Sequence, residues 1–186
     1  EDRLKALGAA AASSGAVGLF HVAGVTPEAP TVAAALGGVP PERTIRLTPD
    51  MLRAARDRLS TTAGSEIDAV ALGSPHFSLD EVTELERRLA GRRARVPIYV
   101  CTGRHVVRVL EREGRLDPLE AAGVTIVADT CVVVTPILPD PAGDRRVLMT
   151  NSGKFAHYGP ANTGYEAIYG SLADCVESAV AGRVVR

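Results

Sequence analysis

The sequence has 186 residues, of which 46% are hydrophobic and 23% are charged, and its formal net charge is −1. This length can bury a real core, and the composition is that of an ordinary globular protein. The charge balance offers no basic surplus for nucleic acid and no polybasic run for anionic lipid. No apolar stretch reaches 18 residues and no signal-peptide pattern is present, so we expect a cytoplasmic protein without nucleic-acid or membrane partners.

Helical and extended patterns alternate along the chain. Helices are predicted at residues 2–12, 31–38, 48–60, 78–91, 105–114, 116–123 and 171–182. Strands are predicted at residues 16–22, 44–47, 67–73, 97–101, 125–128 and 146–149, and a loop at 139–146. This order with short connections predicts an α/β fold, with three α/β/α layers around a mostly parallel sheet, and one domain over residues 1–186.

The sequence contains three cysteines, Cys101, Cys131 and Cys175. Their odd number argues against a disulfide framework, and the absence of a C-x-x-C pair argues against a self-contained zinc site. We interpret Cys101 and Cys175 as buried core residues, whereas Cys131 fits a metal ligand or a buried thiol equally well. The chain opens on EDRLKALG without a methionine, a start that suggests a fragment or a processed chain.

Polar, glycine-rich segments follow five of the predicted strands. They are His21, 73–78 (GSPHFS), 101–105 (CTGRH), 129–131 (DTC) and 150–154 (TNSGK). In a parallel sheet these strand ends share one edge, where α/β folds bind their ligands, so the sequence predicts a site there. Several of the segments also precede helices, whose N-terminal N–H groups suit carboxylates or phosphates.

Individual side chains in these segments have structural alternatives. His76 is interpreted as a ligand-binding or proton-transfer group, although a turn residue after Pro75 is the alternative. Ser78 is most simply a helix cap. His157 gains interest from the nearby Lys154, whereas His21 and His105 are interpreted as structural or rim residues.

The TNSGK segment is not a P-loop, because the G-x-x-x-x-G-K-[ST] order is missing. Asn151, Ser152 and Lys154 supply a donor, a hydroxyl and a cation at one strand end. This set suits an anionic substrate such as a carboxylate. A serine beside a lysine can also take part in proton transfer, so Ser152 and Lys154 join His76 as candidate catalytic residues. The candidate substrate-binding residues here are Thr150, Asn151 and His157.

Five segments together resemble the large subunit of aconitase X enzymes. They are ASSGAVGLFHVAGVTPEAP (12–30), ALGSPHFSLDEV (71–82), DTCVVVTPI (129–137), MTNSGKFAHYGP (149–160) and GSLADCVESAVAGR (170–183). The similarity is to the C-terminal half of that subunit. It implies an aconitase-like fold, with the N-terminal half of the large subunit and a small swivelling domain or subunit as partners.

The resemblance implies a hydro-lyase that dehydrates a small hydroxy acid, such as cis-3-hydroxy-L-proline or mevalonate 5-phosphate. It implies an iron centre, mononuclear or a 2Fe-2S or 4Fe-4S cluster, that acts as a Lewis acid and is completed by ligands outside this chain. Carried over by position, Cys131 is the metal ligand. Ser74 stands where some members have cysteine, which favours the hydroxyproline branch, and it lines the substrate site. The chain alone is then expected to be inactive.

A non-enzymatic α/β domain is the alternative hypothesis. Such a domain would bind a small anion or a partner protein through the same sheet edge. A nucleotide-binding Rossmann domain is a weaker hypothesis, because no G-x-G-x-x-G follows any predicted strand.

Overall fold

The computed structural model describes residues 1–140 and 146–186. The strands in this part of the chain are β1 Ala69–Phe77, β2 Ile98–Thr102, β3 Val124–Ala128, β4 Val147–Thr150 and β5 Glu166–Tyr169. The helices are α1 Asp2–Gly15, α2 Val32–Ala35, α3 Pro49–Arg58, α4 Leu79–Leu89, α5 Arg104–Arg112, α6 Leu116–Ala121, α7 Gly153–Thr163 and α8 Leu172–Ala181.

The five strands form one sheet in the order β3-β2-β1-β4-β5, and every neighbouring pair is parallel. Helices cover both faces of the sheet, which confirms the predicted three-layer α/β fold. Ser78 caps α4 as predicted, and capping boxes are formed at Ser78 with Glu81 and at Ser171 with Asp174.

Alternate residues of β1 point into two separate cores. Val70 and Leu72 belong to the larger core, which contains buried side chains of α4, α5, α6 and α8. Ala69 and Ala71 face the smaller core with Phe155 of α7. The alternation follows from the period of two along a strand, and β1 is buried on both sides because it is the central strand.

Two predicted strands, 16–22 and 44–47, are wrong. Neither segment is a strand, and Ala29 is the one residue buried between positions 1 and 58. Most of their apolar residues are instead exposed, as at Leu19 and Leu47, which are 78% and 67% exposed. A high β-propensity gives a strand only where a neighbouring strand supplies hydrogen bonds and packing, and neither segment has one in the described part.

The polar segment 149–160 contains the end of β4 and most of α7, a helix that the sequence pattern does not predict. Ser152 is the N-cap of α7 and accepts a hydrogen bond from Phe155 N at 3.0 Å. The sequence pattern does not indicate a helix here because Gly159 and Pro160 are both poor helix formers. Gly159 has a packing reason, since a Cβ there would lie 2.7 Å from the Phe155 ring.

Two further elements differ from the prediction, and one predicted loop lies mostly outside the described residues. Strand β5 has only four residues and was not predicted. Helix α1 continues past residue 12, where Ser13 and Ser14 donate to the carbonyl oxygens of Ala9 and Ala10. The predicted loop at 139–146 lies mostly outside the described residues.

Among the described residues, no helix has the length and apolar character needed to cross a lipid bilayer.

Candidate functional site

The carboxyl ends of β1 and β4 form the topological switch point of the sheet. From β1 the chain goes to β2 and β3 on one side, and β4 and β5 lie on the other. Helix α4 follows β1 on one face and α7 follows β4 on the opposite face. The two connections therefore leave a crevice between them, which is where open parallel sheets bind ligands.

The segment 73–76 bulges out of β1 at this crevice. Leu72 pairs with Val100 and Phe77 pairs with Thr102, so four residues of β1 stand opposite Cys101 alone. Gly73 has φ +83°, and a Cβ there would lie 2.0 Å from the Cys101 carbonyl oxygen. The bulge therefore needs glycine at its first position.

Hydrogen bonds from three elements hold the bulge. Ser152 Oγ donates to the carbonyl oxygen of Ser74. Lys5 Nζ of α1 donates to the carbonyl oxygen of His76 at 2.8 Å. The buried Thr102 Oγ1 donates to the Phe77 carbonyl oxygen at 2.6 Å. These contacts fix the directions in which the Ser74 and His76 side chains point.

The His76 ring joins the bulge to the loop after β3. Its Nε2 lies 3.0 Å from the Thr130 carbonyl oxygen. A carbonyl oxygen only accepts, so Nε2 carries the proton and Nδ1 is the nitrogen that can accept one from outside. Although β3 is two strands away from β1, this contact brings the DTC segment to the crevice.

Cys131 lies in this group and packs against the smaller core that contains Cys101. A hydrogen bond from the Cys101 thiol is the largest influence on the pKa of Cys131 and lowers it, although burial opposes this effect. The backbone N–H of Val133, the Ser74 hydroxyl and the charge of Lys154 lower this pKa further. The same contact and burial raise the pKa of Cys101. Of the thiols of Cys101 and Cys131, that of Cys131 is therefore the one that ionises more readily to a thiolate.

Ser74 is 4% exposed, and its hydroxyl is a buried group without a hydrogen bond of regular geometry in the described residues. The hydroxyl lies near enough to the Cys131 thiol to favour its thiolate form. A buried hydroxyl without a full partner is costly and is expected where a further group binds.

A cleft of about 280 Å³ opens beside the bulge, between α1 and the strand ends. Its polar side chains come from α1, α4, the bulge and the start of α7. They are Lys5, Ser74, Glu81, Asn151 and Ser152. Apolar groups such as Leu7, Pro75 and Tyr169 form the rest of the wall. The cleft can therefore hold a small polar molecule.

Lys154 supplies a positive charge near Cys131. Its Nζ lies 5.9 Å from the centre of the Tyr158 ring, one helical turn further along α7. Its charge acts on the Cys131 thiol.

The structure brings together five of the predicted site residues. Ser74, His76, Cys131, Ser152 and Lys154 are connected by the contacts described above. Asn151 lines the cleft next to Ser152. Their catalytic, binding and metal-ligating roles stay predictions.

Other predicted residues lie in different surroundings. Thr150 is fully buried, and its Oγ1 accepts a hydrogen bond from Ser152 N at 3.1 Å, so it shapes the turn into α7. His157 is exposed on α7, and no described contact joins it to the group. The placement of His21 at a strand end is wrong, because residues 16–22 are not a strand and His21 is exposed.

The prediction from sequence missed two residues of the group. Lys5 is 71 residues from His76 in the sequence, and nothing in an N-terminal helix signals this contact. Cys101 is buried, in agreement with its interpretation as a core residue, but its thiol also forms a hydrogen bond with the Cys131 thiol. The position of Cys101 at the end of a predicted strand, on the edge where α/β folds bind ligands, was the signal that could have identified it.

A complete metal site is not formed by the described residues. No group of three or more His, Cys, Asp or Glu side chains in residues 1–140 and 146–186 is arranged to hold a metal ion. Of the three cysteines, Cys131 has the lowered pKa that suits a metal ligand, and the buried Ser74 hydroxyl lies next to it.

Comparison with known proteins gives consistent matches along the chain. Residues 67–181 match the family model described as the aconitase X third domain, and residues 1–57 match the aconitase X second domain. A cis-3-hydroxy-L-proline dehydratase of Pseudomonas aeruginosa is 45% identical over 98% of this chain and 32% of its own length. A phosphomevalonate dehydratase large subunit of Methanothermobacter thermautotrophicus is 41% identical over 90% of this chain and 40% of its own length.

A solved structure supports the same relationship. The crystal structure of Thermococcus kodakaraensis aconitase X in its holo-form superimposes with a TM-score of 0.78 and 28% sequence identity. The match covers 96% of this chain and 44% of that chain. This chain therefore spans about a third to two fifths of the length of the curated relatives described above. With the third-domain model matching more than half of its residues, the chain belongs to the aconitase X family.

Proposed function

We propose that this chain is part of a hydro-lyase that removes water from a small hydroxy acid. The observation that carries the proposal is the grouping of Ser74, His76, Cys131 and Lys154 at the switch point of the sheet, and the lowered pKa of Cys131 agrees with it. The dehydratase names of its relatives support the reaction class. Cis-3-hydroxy-L-proline is the substrate we propose first, because the 45% identical relative bears that name and Ser74 fits that branch.

An iron centre, mononuclear or a cluster, is proposed as the cofactor. Cys131 suits one ligand position because its pKa is low, and the Ser74 hydroxyl beside it has a free lone pair. Further ligands would come from the rest of the longer protein. When bound, iron would supply Lewis acidity toward the departing hydroxyl group.

The side chains of this chain would bind and orient the substrate and move a proton. We propose that Lys154 and Asn151 bind its carboxylate, with Thr150 and His157 as the weaker candidates, since Thr150 is buried and His157 is remote from the group. His76 Nδ1 is the candidate proton acceptor, because Nε2 is held by Thr130. Ser152 can take part only if its hydroxyl leaves the Ser74 carbonyl oxygen.

We propose that residues 16–58 contact the remaining part of the large subunit. Most of the exposed large hydrophobic side chains of this chain fall in that segment, among them Leu19, Val25, Val39, Ile45 and Leu47. An exposed apolar surface of this kind marks a protein contact. The small swivelling domain or subunit is proposed as the second partner, at the crevice. The three unbridged cysteines support a cytoplasmic location for the whole protein.

The test is reconstitution of the complete assembly with ferrous iron without oxygen, followed by an assay for water loss from cis-3-hydroxy-L-proline. We expect turnover, and we expect Cys131→Ser to remove both activity and bound iron. Cys175→Ser is the matched control, since Cys175 is fully buried in α8 away from the crevice. Full activity of Cys131→Ser would contradict the proposal, and anion binding without turnover would favour a non-enzymatic domain.

A further inference from the structure

Lys5 of α1 makes three polar contacts at the edge of the cleft. Its Nζ donates to the His76 carbonyl oxygen at 2.8 Å and to Glu81 Oε2 at 2.6 Å. The third contact is an ion pair with Asp2 Oδ1 at 3.0 Å. An ammonium group has three N–H donors, so these acceptors use all of them and leave none for a substrate.

The same contacts connect α1 to the start of α4. Ser78 Oγ donates to Asp2 Oδ2 at 2.8 Å, and it also accepts from Glu81 N. Glu81 Oε2 accepts from Ser78 N at 2.9 Å as well as from Lys5. Asp2 and Lys5 thus extend the capping box of α4 into a network that reaches the bulge. Burial opposes the charge of Lys5, but its hydrogen bonds to Glu81 and Asp2 outweigh this effect and raise its pKa.

The bulge is held at two carbonyl groups by side chains from two different helices, α1 and the N-cap of α7. Ser152 binds the Ser74 carbonyl oxygen, and Lys5 binds the His76 carbonyl oxygen. Between them lies Pro75, so a shift of either contact turns the neighbouring side chains. His76 is the most sensitive because its ring must also reach Thr130.

Lysine is rare in this chain compared with arginine. Of the 21 Lys and Arg residues only Lys5 and Lys154 are lysines, and both lie at the candidate site. A compact ammonium can meet three acceptors around one point, whereas the planar guanidinium fork of arginine favours two acceptors side by side.

We propose that Lys5 is a positioning residue, which holds the 73–76 bulge so that Ser74 and His76 face the reacting substrate. It acts through the His76 backbone and the α4 cap and does not touch the substrate. Helix α1 thereby links the region matched by the second-domain model to the chemistry of the third-domain region. The expected change in kcat rests on the proposed function, whereas the position of the bulge can be measured without turnover.

The experiment compares Lys5→Met with Arg92→Met in the complete assembly. Arg92 is the matched control because it also joins two elements, by binding Glu177 at 2.6 Å and the Arg88 carbonyl oxygen at 2.7 Å, at the other end of α4. For Lys5→Met we expect kcat to fall about tenfold to a hundredfold with a smaller change in KM, because misplaced groups lose rate more than binding. Arg92→Met should keep the wild-type kcat.

Hydrogen exchange measured by mass spectrometry gives the second readout. Amides of residues 74–80 should exchange faster in Lys5→Met, while peptides from β3 and α8 stay unchanged. Glu81→Gln, which keeps a hydrogen-bond acceptor but loses the charge, should give the same local effect in weaker form. This variant also provides a test if Lys5→Met does not fold.

The outcomes separate the two proposals. Faster local exchange with an inactive wild type would overturn the proposed function but support the positioning role. Unchanged exchange at residues 74–80 overturns the positioning role whatever the activity. A raised KM with unchanged kcat also overturns it, because that pattern indicates direct substrate binding by Lys5.

Discussion

Ser152 and Ser74 lie 78 residues apart in the sequence, and the Ser152 hydroxyl donates a hydrogen bond to the Ser74 carbonyl oxygen. The same Oγ accepts from Phe155 N and so begins α7. One side chain therefore sets both the start of a helix and the position of the bulge on the neighbouring strand. This contact keeps the two main segments of the candidate site at a fixed spacing.

Replacement of Ser152 by alanine tests this double role. Loss of a helix cap costs about 1 kcal/mol and loss of a buried hydrogen bond about another 1 kcal/mol, so we expect the free energy of unfolding to fall by about 2 kcal/mol. Ser171→Ala is the control, because Ser171 caps α8 and its hydroxyl has no long-range hydrogen bond among the described residues. Equal losses for both variants in urea denaturation would contradict the double role.

Gly73 should not tolerate a side chain. A Cβ there would meet the Cys101 carbonyl oxygen at 2.0 Å with φ at +83°. We expect Gly73→Ala to cost about 3 kcal/mol or more, because backbone atoms on both strands must move. Gly91→Ala is the matched control, since Gly91 also has positive φ, +73°, but has open space. It should cost about 1 kcal/mol. Thermal unfolding of the two variants checks the difference.

The three cysteines should differ in reactivity. Hydrogen bonding from Cys101 lowers the pKa of Cys131, whereas burial raises the pKa of Cys175. Since the thiolate is the reactive form, iodoacetamide should label Cys131 first, and its rate should level off at lower pH than that of free cysteine. Mass spectrometry of the labelled metal-free protein across pH gives the curve. A labelling rate of Cys131 that levels off at the same pH as that of free cysteine, or higher, would contradict the lowered pKa.

Lys154 should contribute to this low pKa. Its positive charge favours the Cys131 thiolate, so Lys154→Met should raise the pKa of Cys131 and move the labelling curve to higher pH. Lys154→Arg keeps the charge and should leave the curve nearly in place. A curve that does not move in Lys154→Met would mean that the charge is screened from the thiol.

The effect of placing a charge at Leu19 should depend on whether the rest of the large subunit is present. Its side chain is 78% exposed, so Leu19→Asp should change the stability of the isolated chain by less than about 0.5 kcal/mol. In the complete assembly the same change should lower the melting temperature, because the charge would then be buried against the remaining large subunit. An equally small effect in both would argue against a contact there.

Several features of the fold were predictable because they depend on local pattern. The capping boxes at Ser78 and Ser171 and the buried run in β1 follow from residues close in sequence. The pattern failed where the outcome depends on distant partners. Residues 44–47 have the composition of a strand but no neighbouring strand in the described residues, and α7 forms despite Gly159 and Pro160 because Phe155 packs on the glycine.

The sequence by itself determined that polar turns follow buried strands, that the fold is α/β, and that one edge of the sheet carries the candidate site. Periodicity and capping act over a few residues, so a single chain is enough to read them. Only the tertiary structure decided the strand order that places β1 beside β4, the hydrogen bond that makes Cys131 the more acidic thiol, and the contact of Lys5 with His76. These depend on groups brought together across 30 to 80 residues, because packing of the sheet and its helices, and not local preference, sets which side chains meet.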